Sequence, residues 1–518
     1  MSRGSASHSI VVPPFGRRHW LWIGIALLVG AALRLWGLGE WSFWVDEGHT
    51  WRDATMPLTG ERGFLSTDRV RYGIPFLLLR LLLGLGVTGY DEASVRLPFA
   101  LVGIATVPAM AICGRRLVGA WPAVVSAMLL ALNPWHVYWS QNARGYGLAL
   151  LLCLLALHRA HLWHGTRSLR DLLLTLLLVA LSAASHPTMG MLAAAFAGYL
   201  FVRRGFRSML GARVTSAVAA LVALVVLPVL IRVLHGYDLL PFGGFMNAKA
   251  DPSLRHFVET SLYYFRPATL LAGLLGMLVA PRVLGRDRAL FLICMVLVPM
   301  LVLTGVSASL VKVTARYGIC ALPVLTWLVA LLLVVVARRV RATSLPLALL
   351  LPGLLAADSL RLDVAYYTSQ HGQRARWREA AQFVRAEAAR RGLAGVYAVS
   401  TNEPAMLYYL RRKHWFLMAN DPHPGYAVQV LLRETIEGGL DRDSNRLHPP
   451  GVEAHVQWLR DQCGGGRLLA VMVTLPELRE QDPAGAFEAL LHQEFELALH
   501  LPCWVGPKDQ SVYVYLPK

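Results

Sequence analysis

Residues 40–51 read Glu-Trp-Ser-Phe-Trp-Val-Asp-Glu-Gly-His-Thr-Trp. Two carboxylates, Asp46 and Glu47, stand side by side among Trp41, Trp44 and Trp51, just beyond a long apolar run. Tryptophan gathers at the membrane–water boundary. A carboxylate held there loses part of its hydration, which lifts its pKa toward that of a useful general base. Asp46 also suits the N-cap of a helix over residues 47–54, because aspartate is a favoured cap. Asp68 is a second acidic candidate in the same segment.

Polar groups recur at the ends of other apolar runs. Residues 133–146 read Asn-Pro-Trp-His-Val-Tyr-Trp-Ser-Gln-Asn-Ala-Arg-Gly-Tyr, with Arg144 at the mouth of the next apolar stretch. His186 lies between Ser185 and Pro187, and Lys312 and Arg316 lie in Val-Lys-Val-Thr-Ala-Arg-Tyr, residues 311–317. Arginine grips phosphate oxygens with two parallel hydrogen bonds, and lysine adds a point charge. A carboxylate can deprotonate a hydroxyl while such cations hold a lipid-linked phosphate or diphosphate and stabilise it as it leaves. The chemistry that fits is transfer of a group from a membrane-carried phosphate to an acceptor outside the cytoplasm.

The elements that must position these groups are membrane spans. Of 518 residues, 55% are hydrophobic and only 16% charged, against about 25% charged in soluble domains. A span needs roughly 20 apolar residues. Candidates cover residues 19–38, 96–113, 118–134, 146–163, 171–185, 187–202, 213–232, 267–283, 289–308, 318–337 and 343–360. Ile74–Val87 is shorter and carries Arg80. If it lies along the membrane surface, Arg17–Arg18, Arg115–Arg116, Arg159 with Arg167 and Arg170, Arg203–Arg204, Arg282 with Arg286 and Arg288, and Arg338–Arg339 all fall on one side. The positive-inside rule makes that side cytoplasmic. The expectation is a polytopic α-helical membrane protein of about eleven spans in the inner or plasma membrane. Its first loop (39–95), the polar groups above and the tail then lie on the extracytoplasmic side.

The net charge of +18 is carried by these clusters between apolar runs, the pattern of orientation signals and anionic-lipid contacts. It is not the basic stripe with interleaved aromatics of a nucleic-acid binder. Residues 1–18 form a cytoplasmic tail, 19–360 the transmembrane domain and 361–518 a soluble domain. In that last part residues 374–391 have helical spacing, and 395–400, 468–474 and 510–516 read as strands, giving a small α/β domain. Cys463 and Cys503 lie there and can pair in an oxidising compartment. No CxxC or His-rich metal spacing occurs.

Taken in order, these pieces resemble the membrane glycosyltransferases of the GT-C fold, in particular the bacterial relatives of protein O-mannosyltransferases and of the aminoarabinose transferase that modifies lipid A. The pieces are Leu33–Leu35 with Gly37–Leu38, Trp44–Glu47, Ser94–Pro98, Arg115–Gly119, Asn133–His136, Ser140–Tyr146, His186–Pro187, Ala315–Tyr317 and Leu322–Pro323. They span residues 15–360. The resemblance implies a polyprenyl-phosphate sugar donor, inversion at the anomeric carbon, and a lipid, glycan or protein acceptor. It implies Asp46 as general base, with Glu47 supporting it or positioning the acceptor. Arg316 would contact the donor phosphate, and Arg144 would be structural or substrate-positioning. Tyr146, His186, Lys312, Tyr317 and Asp68 complete the candidate substrate contacts. The chain departs from the family at Asn142, where Glu is frequent, and at Tyr72–Pro75, where His-Pro-Pro is frequent. No cofactor is implied with certainty, and a divalent metal stays open. The competing reading is a transporter or flippase of a lipid-linked saccharide, which calls for broken helices and charges near mid-membrane.

Overall fold

The computed structural model describes the chain except residues 1–13, 61–62, 205–251, 311, 341–344, 412–425, 432–438, 442–445, 449–450 and 506–507. It divides into two compact units. The first comprises Met1–Trp36, Arg71–Pro75 and Leu97–Asp363, the second Gly37–Val70, Phe76–Arg96 and Val364–Lys518.

The helices of the N-terminal part are α1 (Arg17–Leu35), α2 (Val45–Thr55), α3 (Ile74–Gly84), α4 (Glu92–Val118), α5 (Ala120–Ala131), α6 (Pro134–Ser140), α7 (Tyr146–Thr166), α8 (Leu169–Ser185) and α9 (Met191–Arg204). Then follow α10 (Leu254–Phe265), α11 (Pro267–Leu284), α12 (Arg286–Ser309), α13 (Leu322–Val340) and α14 (Leu345–Thr368). Each expected span coincides with one of them, except 213–232, which lies outside the described residues. Among the described residues six helical segments are long and apolar enough to cross a membrane; α5, α8 and α9 are shorter than a full span. The chain is a multi-pass membrane protein. Basic residues close α4 (Arg115, Arg116), α11 (Arg282) and α13 (Arg338, Arg339), where they complement the negative end of the helix dipole.

Within the first unit, buried polar groups cap helix ends. Arg34, in the last turn of α1, is fully buried. It donates to the carbonyls of Leu130 (3.1 Å) and Ala131 (3.0 Å), which end α5, and lies 2.6 Å from His136 Nδ1. In return Gln141 Nε2 donates to the carbonyls of Leu33, Arg34 and Trp36. Two helix C-termini therefore exchange their orphan acceptors for side-chain donors, as a water-poor interior demands. The Leu33–Leu35 and Asn133–Tyr146 pieces of sequence are this cap.

Helices close on one another through glycine. A Cβ on Gly276 of α11 would strike the Leu328 carbonyl of α13, and one on Gly273 would strike the Leu325 side chain. Small residues are the usual means of close approach between membrane helices. Gly276→Val is expected to force α11 off α13 and cost about 3 kcal/mol or more, the upper end for overpacking. A lowered thermal midpoint of the detergent-purified protein is the check.

In the second unit the C-terminal region holds β1 (Gly395–Ser400), β2 (Tyr426–Val430), β3 (Gly439–Asp441), β4 (Arg446–His448), β5 (Arg467–Thr474), β6 (Phe495–Leu501), β7 (Trp504–Val505), β8 (Lys508–Asp509) and β9 (Val512–Pro517). Its helices are α15 (Trp377–Arg390), α16 (Glu403–Met406), α17 (Val452–Cys463), α18 (Leu475–Gln481) and α19 (Ala486–Glu494). The main sheet has the order β2-β1-β5-β9-β6. β1 is parallel to β2 and β5, while β9 is antiparallel to β5 and β6. Both faces of the centre are covered, so β1 and β5 are nearly continuous apolar runs. Val456, Leu459, Val471, Phe487 and Leu491 form the core on one side. Cys463 and Cys503 are each buried and unbonded. Cys463 packs into that core, whereas the Cys503 thiol donates to the Arg374 carbonyl at 2.9 Å. The disulfide that an oxidising compartment allows is not formed.

Candidate active site

The acidic pair opens α2 in the second unit. The N-cap is Trp44, so Asp46 does not cap the helix; both acids stand in its first turn. There their charges face the positive end of the helix dipole. The two side chains leave the axis in different directions. Asp46 is half-buried, while Glu47 is fully buried. Two guanidiniums hold Glu47. Arg96 Nε donates to Oε1 at 2.7 Å and Arg96 Nη2 to Oε2 at 2.8 Å, and Arg374 Nε donates to Oε2 at 3.2 Å. Arg96 also donates to the carbonyls of Leu38, Trp41 and Ser42. Glu47 is thereby fixed as an anchor, and Asp46 is the member of the pair with access.

Further along α2, Asp53 is buried and accepts from Arg52 Nε and Arg69 Nη1, each at 3.1 Å. Arg80 of α3 donates to the carbonyls of Met56 (2.6 Å) and Ala54 (3.3 Å) at the end of α2. The charge that shortens the apolar stretch 74–87 is thus a helix cap. Asp68 opens the 3₁₀ turn Asp68–Tyr72; its side chain lies outside the described residues.

In the first unit five of the sequence candidates converge. The His186 ring is flanked by Tyr146, with centroids 4.1 Å apart, and by Tyr317 at 6.1 Å. Arg316 lies over the Tyr317 ring at 5.1 Å, and its Nη2 is 3.3 Å from the Tyr317 hydroxyl. Burial, followed by the nearby guanidiniums of Arg144 and Arg316, pushes the His186 imidazole down to about 3. It is therefore neutral at physiological pH, and its Nδ1 pairs with the Thr188 hydroxyl at 2.8 Å. Backbone geometry draws these groups together: Gly145 leaves no room for a Cβ between the Ser185 carbonyl and Pro75. Tyr264 of α10 is close enough to Arg316 for the charge to act on its hydroxyl, and Thr260 Oγ1 accepts from the Ala315 amide at 3.0 Å. Lys312 is exposed on the segment before this turn. Two guanidiniums set around a neutral ring and phenol hydroxyls form an anion-binding arrangement.

Among the described residues no three His, Cys, Asp or Glu side chains converge as metal ligands. Arg96 and Arg374 were not singled out as site residues from sequence. Arg96 lies within the Ser94–Pro98 piece, which was a usable signal; Arg374 lies in a tail without a motif.

The fold is that of the GT-C glycosyltransferases. ArnT from Cupriavidus metallidurans in the apo state superposes with a TM-score of 0.57 at 12% identity, covering 96% of this chain and 97% of ArnT. ArnT bound to undecaprenyl phosphate gives 0.56 at 11%, covering 96% and 98%. The oligosaccharyltransferase of Archaeoglobus fulgidus in the apo form gives 0.57 at 13%, covering 96% of this chain and 74% of that one. More narrowly, residues 75–231 match the dolichyl-phosphate-mannose-protein mannosyltransferase family. No curated protein matches at the sequence level.

Proposed function

We propose that the protein is an integral membrane glycosyltransferase that moves a sugar from a polyprenyl-phosphate donor to a hydroxyl of a lipid, glycan or protein, with inversion, on the extracytoplasmic side of the inner membrane. The convergence of Arg144 and Arg316 on the neutral His186, between Tyr146 and Tyr317, carries this reading. It is an arrangement suited to a phosphate, in a fold shared with an ArnT that binds undecaprenyl phosphate. Asp46 takes the proton from the acceptor hydroxyl. The acceptor oxygen attacks the anomeric carbon, the bond from that carbon to the phosphate oxygen breaks, and polyprenyl phosphate leaves. Arg316 neutralises the charge that gathers on the departing phosphate, and Arg144 with Lys312 adds to the same field.

Mass spectrometry of lipids, envelope glycans and envelope proteins, with and without the gene, tests it. The expected result is loss of one hexose or pentose from a defined acceptor, with its polyprenyl-phosphate donor retained. Retention of every modification without the gene, together with vesicles from that strain no longer moving a lipid-linked sugar across the membrane, would favour transport.

A further inference from the structure

The soluble domain follows the last span and carries no motif. Yet in the second unit its first fifty residues touch nearly every residue that leads into the acidic pair. Arg378 Nη2 donates to the carbonyls of Gly39 (2.9 Å) and Trp41 (3.3 Å), and its Nη1 donates to that of Glu40 (3.1 Å). Its guanidinium is held in turn by Glu92, at 2.7 and 3.0 Å. Ser42 Oγ accepts from the Arg378 amide and donates to Glu379 Oε2, both at 3.1 Å. The Phe43 amide donates to the Tyr409 hydroxyl at 2.6 Å. Glu47 accepts from Arg374. Gly48 lies against α16, where a Cβ would come within 2.9 Å of the Ala405 nitrogen and the Pro404 Cβ. α16 is the first element beyond the carboxyl end of β1, the region where open α/β sheets ordinarily take a ligand; here α2 packs against it.

Arg374 is itself built in. It is fully buried, and its Nη1 donates to the Tyr366 hydroxyl (2.9 Å) and the Gly372 carbonyl (2.8 Å). The chain just before it turns through three left-handed residues, His371 (φ 48), Gly372 (φ 59) and Gln373 (φ 51). Two of these are not glycine, a conformation that persists only where surroundings over-determine it. Gly372 admits no side chain because the Trp41 ring lies against it. The N-cap of α2 has no side-chain hydrogen bond of its own. What fixes the helix start is therefore the pair of guanidiniums on Glu47 and the tail residues around it.

We propose that the soluble domain is the positioning element of the acidic pair, with Arg374 as its key residue: through Glu47 it fixes the start of α2, and with it the direction of the neighbouring Asp46 carboxylate. The proposal rests on the reading of Asp46 as the base. It makes the domain part of the machinery of transfer instead of an appendage, and Arg374 a positioning residue that touches no substrate.

The test uses the full-length protein. Hydrogen–deuterium exchange on detergent-purified Arg374→Met should quicken about tenfold or more over residues 43–50, the effect expected on losing one charge-assisted hydrogen bond, with α17 and β5 unchanged. Gly48→Val, which strikes the same helix from the α16 side, should open the same segment. In a gene-deleted strain complemented with each variant, Arg374→Met should lower the glycosylated product about tenfold and Arg374→Lys should restore part of it. Because losses that act through one group do not add, Arg374→Met should cost little more in an Asp46→Glu background. Unchanged exchange over 43–50, uniform quickening across the domain, or full additivity with Asp46→Glu overturns the positioning role. Full product from Asp46→Asn would instead sink the base, leaving the exchange result to stand on its own.

Discussion

Asp46→Asn is expected to lower sugar transfer by about 10²–10⁴-fold, the usual contribution of a positioned general base. Asparagine keeps the size and polarity of the side chain but cannot accept the acceptor's proton. The neighbouring Glu47 cannot take over, because its carboxylate is fully buried and held by Arg96 and Arg374. Expression and thermal midpoint should stay near those of the parent, since Asp46 is only half-buried and the charged anchor of the helix is its neighbour. In proteoliposomes carrying the donor and acceptor found by mass spectrometry, the loss should fall on kcat, with the donor KM within a few-fold of the parent. Asp46→Glu, which moves the carboxylate by one methylene, should sit between the two. Transfer at the parental rate in Asp46→Asn would remove the base from the mechanism.

The helical frame was legible because its signals are long. Apolar runs of span length and arginines at alternate ends gave α1, α4, α5, α7, α8, α9 and α11 to α14, most of them to within a few residues, apart from the stretch 213–232 outside the described residues; α6 and α10 stand where loops were expected. The strands β1 and β5 were legible as apolar runs bounded by polar or glycine-rich segments, and α15 as a helical period. The cation cluster was legible in part: Arg144, His186 and Arg316 stood out at the ends of apolar runs, Tyr146 and Tyr317 were added by the family resemblance, and the structure brings the five together. What sequence did not reveal is which acid is the less buried of the two. Asp46 and Glu47 are neighbours with the same chemistry, and only the long-range partners of Glu47, 49 and 327 residues away, tell them apart. Local spacing cannot encode a contact of that separation. The N-cap expected at Asp46 failed for a related reason. Residues entering α2 are held by the tail, so the helix begins earlier than a local cap would place it.

The second large effect is on stability. Glu47→Gln is expected to destabilise the protein by about 3–5 kcal/mol, the cost of removing one partner from a buried ion pair. The carboxylate is the negative charge shared by two guanidiniums that are themselves fully buried. Taking it away leaves two cations facing one neutral amide. Their backbone partners, the carbonyls of Leu38, Trp41 and Ser42 for Arg96 and of Gly372 for Arg374, supply dipoles and no countercharge. For a domain of this size the loss corresponds to a drop on the order of ten degrees in thermal midpoint. Charge balance then predicts the sign of a double change. Glu47→Gln with Arg374→Met removes one of the two cations that the Glu47 carboxylate balanced, so the pair should be less harmful than the sum of the single changes. A thermal midpoint for the double variant at or below that sum would show that packing, and not charge, sets the requirement. The folded fraction of Glu47→Gln should also transfer slowly, because the start of α2 is no longer held. A Glu47→Gln protein that melts like the parent but has lost transfer would mean instead that this carboxylate takes part in the chemistry directly.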